Sequence, residues 1–135
     1  MTRREKTGKR DLTFSQWVRD NLPDSSTGFR VTDLDFVFFN EETNTLMLME
    51  TKQNGAEVRH FQSRLFYIMD ALLSVGSKVV IPGVGRIKYL GFHTLRFENK
   101  GFNDGKAWFD GKEITADLFK QMIEEKFQKH DERSI

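Results

Sequence analysis

Cysteine is absent from the 135 residues, which excludes a disulfide framework, a thiol nucleophile and any zinc or iron–sulfur centre held by thiolates. A reducing cytoplasm fits that composition. Histidine is scarce: His60, His93 and His130 are scattered along the chain, so no histidine metal site is expected. Long hydrophobic runs are missing too. No stretch approaches the roughly 20 apolar residues of a membrane span, and the opening MTRREKTGKR has no apolar core of the kind a secretory signal needs. A cytoplasmic protein without a membrane is the expectation. Nor is there an excess of charge, since the net value of +1 says little about partners. Locally, Arg3, Arg4, Lys6, Lys9 and Arg10 are opposed only by Glu5. Residues 1–10 therefore read as a flexible basic tail, either laid on phosphates or simply solvated.

What is present is large apolar area. Thirteen Phe, two Trp and two Tyr argue against a disordered chain, and residues 11–135 are expected to form a single domain. Thr13, with Gln16 three positions on, predicts a capping box, and Phe14, Trp17, Val18 and Leu22 share a helical face that ends at Pro23. Phe29–Phe39 and Leu46–Lys52 read as strands joined by the turn Asn40–Asn44. A helix is predicted over about Val58–Leu73, with Val58, Phe61, Leu65, Ile68 and Leu72 as its buried stripe. Lys78–Asn99 is β-rich and interrupted by Pro82, Gly83 and Gly85. A short strand at Ala107–Phe109 ends in the turn Asp110–Gly111. The last helix runs from a Thr115 cap to about Lys129 and buries Leu118, Phe119, Met122, Ile123 and Phe127. This order predicts an α/β (α+β) fold with one central mixed sheet flanked by helices.

Alternation along a strand puts Val31, Asp33, Asp35, Val37 and Phe39 on one face of the first strand, and Leu46, Leu48, Glu50 and Lys52 on one face of the second. Should those faces coincide, three carboxylates and one lysine converge. Like charges disfavour one another's ionisation, and a hard divalent cation such as Mg²⁺ is the natural compensation. Spacing alone is weak evidence, because an acid two residues before a lysine is expected roughly once or twice by chance. Here it occurs five times, at Glu50, Glu98, Asp104, Asp110 and Glu124. Only Glu50–Lys52 ends an apolar strand that follows another acid-bearing strand. Edge-strand charges or the frayed end of a strand would explain each residue singly.

The segment TDLDFVFFN, a short turn, then LMLMETKQ resembles the PD-(D/E)XK nuclease superfamily, which has the restriction-endonuclease-like fold. The resemblance covers about residues 13–73. It implies that Asp35 is the strand aspartate, ranked before Asp33 because it directly precedes the apolar run FVFF. It further implies that Glu50 is the second metal-binding acid and that the Thr51 carbonyl lies between them as a ligand. Lys52 would orient or deprotonate the attacking water. Two departures from the family pattern stand out: the first helix, TFSQWVRDNL, offers no Glu, and Pro23–Gly28 leaves little room for an additional strand.

In the helix after the lysine, Gln62 and Arg64 are expected to flank the buried stripe. By the same resemblance Gln62, Arg59 and Arg64 would contact substrate phosphate, with a surface role as the alternative. Trp108 and Phe109 either stack on a base or fill a core hairpin. The functional expectation is a metal-dependent nuclease using Mg²⁺ or Mn²⁺, endonuclease rather than exonuclease. Its partner would be nucleic acid, DNA before RNA, and it would form a homodimer if both strands are cut. A non-catalytic nucleic-acid-binding or protein-interaction module of the same fold is the rival.

Overall fold

Helix α1 (Thr13–Asn21) opens the described part of the chain, which in this computed structural model comprises residues 13–56 and 60–128. Those residues divide into two units, one ending at Thr32 and the other beginning at Asp33. In the first, Phe14 and Trp17 stack with ring centroids 5.9 Å apart. Thr13 is already helical, and Gln16 donates forward to Asp20 at 2.9 Å, so the predicted capping box gives way to a side-chain pair one turn along. A single 3₁₀ turn, Ser25–Thr27, follows Pro23. The proposed basic tail, residues 1–10, lies outside the described residues.

The second unit is built on a five-stranded mixed sheet. Its strands are β1 (Phe36–Asn40), β2 (Thr45–Lys52), β3 (Lys88–Phe97), β4 (Ala107–Phe109) and β5 (Lys112–Ile114), adjacent in that order. β1 and β2 form the expected hairpin. β2 and β3 run parallel, connected through α2 (His60–Gly76), and the remaining pairs are antiparallel. Parallel pairing needs a crossover, and α2 supplies it.

β2 is covered on both faces. Met47 and Met49 join Leu95, Phe97 and Ala107 in a core closed by Phe119, Ile123 and Phe127 of α3 (Ala116–Phe127). On the opposite face lie Leu48 and Glu50, while Phe66 of α2 stacks on Phe92 at 4.4 Å. The predicted stripe of α2 is displaced. Ile68 and Leu72 are 44% and 68% exposed, whereas Phe66 is buried, and Val58 and the Phe61 side chain lie outside the described residues. The inner face carries Gln62, Phe66 and Asp70 because each has a partner there: an ammonium, an aromatic ring and a bulged strand. At that bulge β3 gains one residue between Tyr89 and Phe92, taken up by Gly91 at φ +98°. Asp70 Oδ1 accepts from the Phe92 N–H at 3.1 Å and the Tyr89 hydroxyl at 2.8 Å. Burial, then Asp70, push the Tyr89 phenol up.

Two further expectations need correction. The first strand begins at Phe36 and not at Phe29, for a reason given below. β5 is an additional strand, formed because Asp110 and Gly111 both hold positive φ, 51° and 86°, which suits the tightest hairpin. Thr115 caps α3 as expected, accepting from Leu118 N–H at 3.2 Å, but Leu118 is 56% exposed.

The β4–β5 turn is anchored by His93. Its Nδ1 faces Asp110 Oδ2 at 2.6 Å and its Nε2 faces Leu90 O at 2.7 Å. With an oxygen acceptor at each nitrogen the ring is best served by both protons. The bond to Asp110 raises the His93 pKa against burial and the Lys126 charge. Burial alone pushes Asp110 up, but bonds from His93 and the Thr94 N–H outweigh it and leave Asp110 lowered. His93 therefore contributes stability in full below its unfolded value of 6.5 and loses it as pH rises through the higher folded value. Melts between pH 5 and 9 should show wild type losing up to about 1 kcal/mol relative to His93→Gln, a small figure because Asp110 is partly solvated. Parallel pH profiles for the two proteins would contradict the ion pair.

Candidate active site

The register Phe36↔Met49 and Val37↔Leu48, extended by one residue, sets Asp35 opposite Glu50 on the α2 side of the sheet. Two carboxylates directly opposed in a ladder repel. The ladder stops there. The Asp35 N–H instead points to Glu50 Oε2 at 3.4 Å. Asp35 Oδ2 accepts from the Thr51 N–H at 2.9 Å and the Thr51 hydroxyl at 3.0 Å. Asp35 thus caps the end of β2 in place of a β1 carbonyl, which is why the predicted strand Phe29–Phe39 is cut to its second half.

Glu50 is 4% exposed. Burial first, and then the Asp35 charge, push its carboxyl up to about 7, with the Lys52 ammonium offsetting only part. Lys52 Nζ lies 3.8 Å from Glu50 Oε1 and donates to Gln62 Oε1 at 3.1 Å. Gln62 stands in the first turn of α2, so the crossover helix delivers its amide to the carboxyl end of β2. Ligand sites on parallel strands favour that end.

Asp35, Glu50, Thr51, Lys52 and Gln62 are therefore brought together. Asp33 is exposed, and among the described residues no three acidic or histidine side chains form a metal-binding group. The expected three-carboxylate cluster is thus a pair, since beyond Phe36 the chain leaves the sheet and carries Asp33 off the strand's alternation. Arg64 is exposed, two positions from Gln62 and so about 200° around the helix, on the side away from the sheet. Arg59 lies outside the described residues.

A buried glutamate whose carboxyl is pushed up, beside a second carboxylate, marks a site short of positive charge. The donors fit Mg²⁺ or Mn²⁺, which take one or two carboxylates with waters and substrate oxygens completing the shell. The Thr51 N–H and hydroxyl both donate to Asp35 Oδ2, which sets Thr51 beside the acidic pair. A separate groove of about 830 Å³, lined by Phe38, Phe39, Asn40, Glu41, Glu42, Ile123 and Phe127, contains none of these residues, and none of its lining residues is a lysine or arginine.

Sequence reasoning missed Asp70 and Arg96. A glycine inside the strand KYLGFHTLRF signals the bulge that Asp70 satisfies. Arg96 had no signal, because its place beside Lys52 follows only from the parallel β2–β3 register. No family model, curated protein or solved structure matches the chain. No helix among the described residues is long and apolar enough to cross a membrane.

Glu50 binds a proton more tightly folded than unfolded, so stability falls as pH rises from about 4.5 to 7 and the full cost stands above 7. Glu50→Gln should therefore stabilise the metal-free protein at pH 8 by roughly 1–3 kcal/mol and much less at pH 4.5. Denaturant titrations at both pH values check this. An equal effect at the two would dissociate the burial of Glu50 from its charge.

Proposed function

We propose that this protein is a metal-dependent nuclease that hydrolyses phosphodiester bonds, with DNA as the preferred substrate. One observation carries the reading: Asp35, Glu50, Lys52 and Gln62 meet at the carboxyl end of β2, with Lys52 Nζ 3.1 Å from Gln62 and 3.8 Å from Glu50. The resemblance of TDLDFVFFN…LMLMETKQ to the PD-(D/E)XK superfamily supports it, and the same resemblance favours DNA over RNA.

Asp35, Glu50 and the Thr51 carbonyl would hold Mg²⁺ or Mn²⁺. When bound, the ion supplies Lewis acidity toward the phosphate and lowers the pKa of a water. Lys52 orients the attacking water and balances the charge that develops on the phosphoryl oxygens. Gln62 acts through Lys52, drawing the ammonium toward α2 so that it does not collapse onto Glu50. Thr51 fixes the carboxylate of Asp35 by two donors to one of its oxygens.

The rival is a binding module of the same fold, in which Asp35 and Glu50 only terminate the hairpin. A homodimer draws support from the exposed Tyr67, Ile68, Leu72 and Val75 on α2, an apolar surface larger than scattered single residues.

Plasmid and single-stranded substrates incubated with Mg²⁺, Mn²⁺ or chelator provide the test. Cleavage should require the metal, and Lys52→Ala, Glu50→Ala and Asp35→Ala should each lower the rate roughly 10²-fold or more. Metal-independent binding without cleavage in any format would favour the module. Wild-type rates in all three variants would remove the site assignment.

A further inference from the structure

Across the α2 side of the sheet, neighbouring strands carry a row of residues. Lys52 is the Cα partner of Arg96, Arg96 of Trp108, and Trp108 of Glu113. Paired residues share a face, and adjacent strands lie about 4.8 Å apart. The Arg96 guanidinium carbon sits 5.1 Å from the Trp108 ring centroid. Both side chains are partly exposed. The opposite face of the same strands holds Leu95, Phe97 and Ala107 in the core, with Phe109 packed at 6.0 Å against Phe119. Trp108 is therefore excluded from that core while its neighbour Phe109 fills it.

We infer that Arg96 and Trp108 form a subsite for an unpaired nucleotide beside the scissile phosphate, so that the substrate is single-stranded or splayed nucleic acid in preference to continuous duplex. The inference rests on the nucleic-acid reading above. Lys52 faces the reacting phosphate in that reading, and the cation next to it along the row is Arg96. The Arg96 guanidinium lies over the Trp108 ring in a cation–π contact, and a planar guanidinium with several N–H donors is the side chain best suited to phosphate. The aromatic–guanidinium pair is in turn a platform on which a base stacks. Bases in a continuous duplex are stacked on each other and reach such a platform only by flipping. Beyond Trp108 the row ends in the exposed carboxylate of Glu113, which turns a phosphate backbone away and leaves the base to occupy the Trp108 end.

Binding is measured apart from cleavage, by fluorescence anisotropy of a labelled thymidine oligonucleotide and of a blunt duplex in chelator. Wild type should bind the single strand more tightly. Trp108→Ala should weaken that binding about 10-fold, and Trp108→Phe should restore most of it. Arg96→Ala should make the salt dependence shallower by about 0.7 in log–log slope, the loss of one phosphate contact on a single strand. Should Trp108→Ala fail to fold, Trp17→Phe leaves Trp108 as the sole tryptophan, and base stacking should quench its emission. Unchanged single-strand affinity in folded Trp108→Ala, absence of quenching, or equal affinity for duplex each overturns the subsite. Trp108-dependent binding without Mg²⁺-dependent cleavage of any substrate would support the subsite and remove the nuclease reading.

Discussion

Glu50 sits where β2 is still covered on both faces, and the surroundings are arranged around that buried carboxyl. β2 lies between the α3 core, through Met47 and Met49, and the α2 layer, through Leu48 and Glu50. A charged group so placed needs partners or protons. Asp35 adds a second negative charge that its own N–H, 3.4 Å from Glu50 Oε2, offsets only in part, and Lys52 only partly compensates. The end of β2 therefore accumulates groups with polarity to satisfy. Asp35 takes the Thr51 donors, the first strand ends, and the amide of Gln62 is drawn in from α2.

The same logic explains the rotation of α2. Apolar periodicity favours a face through Leu65, Ile68 and Leu72, yet the face that packs includes Gln62 and Asp70, eight residues apart and so about 80° around the helix, with Phe66 midway between them. Each meets a polar demand of the sheet: Gln62 the ammonium at the end of β2, Asp70 the N–H freed by the Gly91 bulge. Leaving that N–H unpaired costs about 1–3 kcal/mol, comparable to burying a leucine side chain. Polar satisfaction at two points thus competes on equal terms with an apolar stripe, and here it prevails. Aliphatic residues on α2 are left facing outward as a consequence.

His93 and Asp110 hold the other end of the sheet by a related device. The carboxylate accepts from the imidazole and from the Thr94 N–H, and the Asp110 N–H returns to Thr94 O at 2.9 Å. This clasp fixes the β4–β5 hairpin on β3 and with it the placement of Trp108 opposite Arg96. An acidic pair, a lysine and an aromatic–cation pair consequently lie on one side of a single sheet, at strand ends that come from distant parts of the chain.

Local pattern was enough to determine the β1–β2 hairpin, the helix that follows Lys52, the Thr115 cap and the candidacy of Asp35, Glu50 and Lys52, while the family resemblance singled out Gln62. Alternation, capping and turn chemistry act within a few residues and are written directly in the chain. Only the tertiary structure decided where β1 begins, which face α2 turns inward, that Asp33 stays out of the acidic pair, and that Arg96 and Trp108 stand beside Lys52. Those outcomes depend on charge repulsion, hydrogen-bond satisfaction and strand register between residues up to about sixty positions apart, and no local periodicity encodes them.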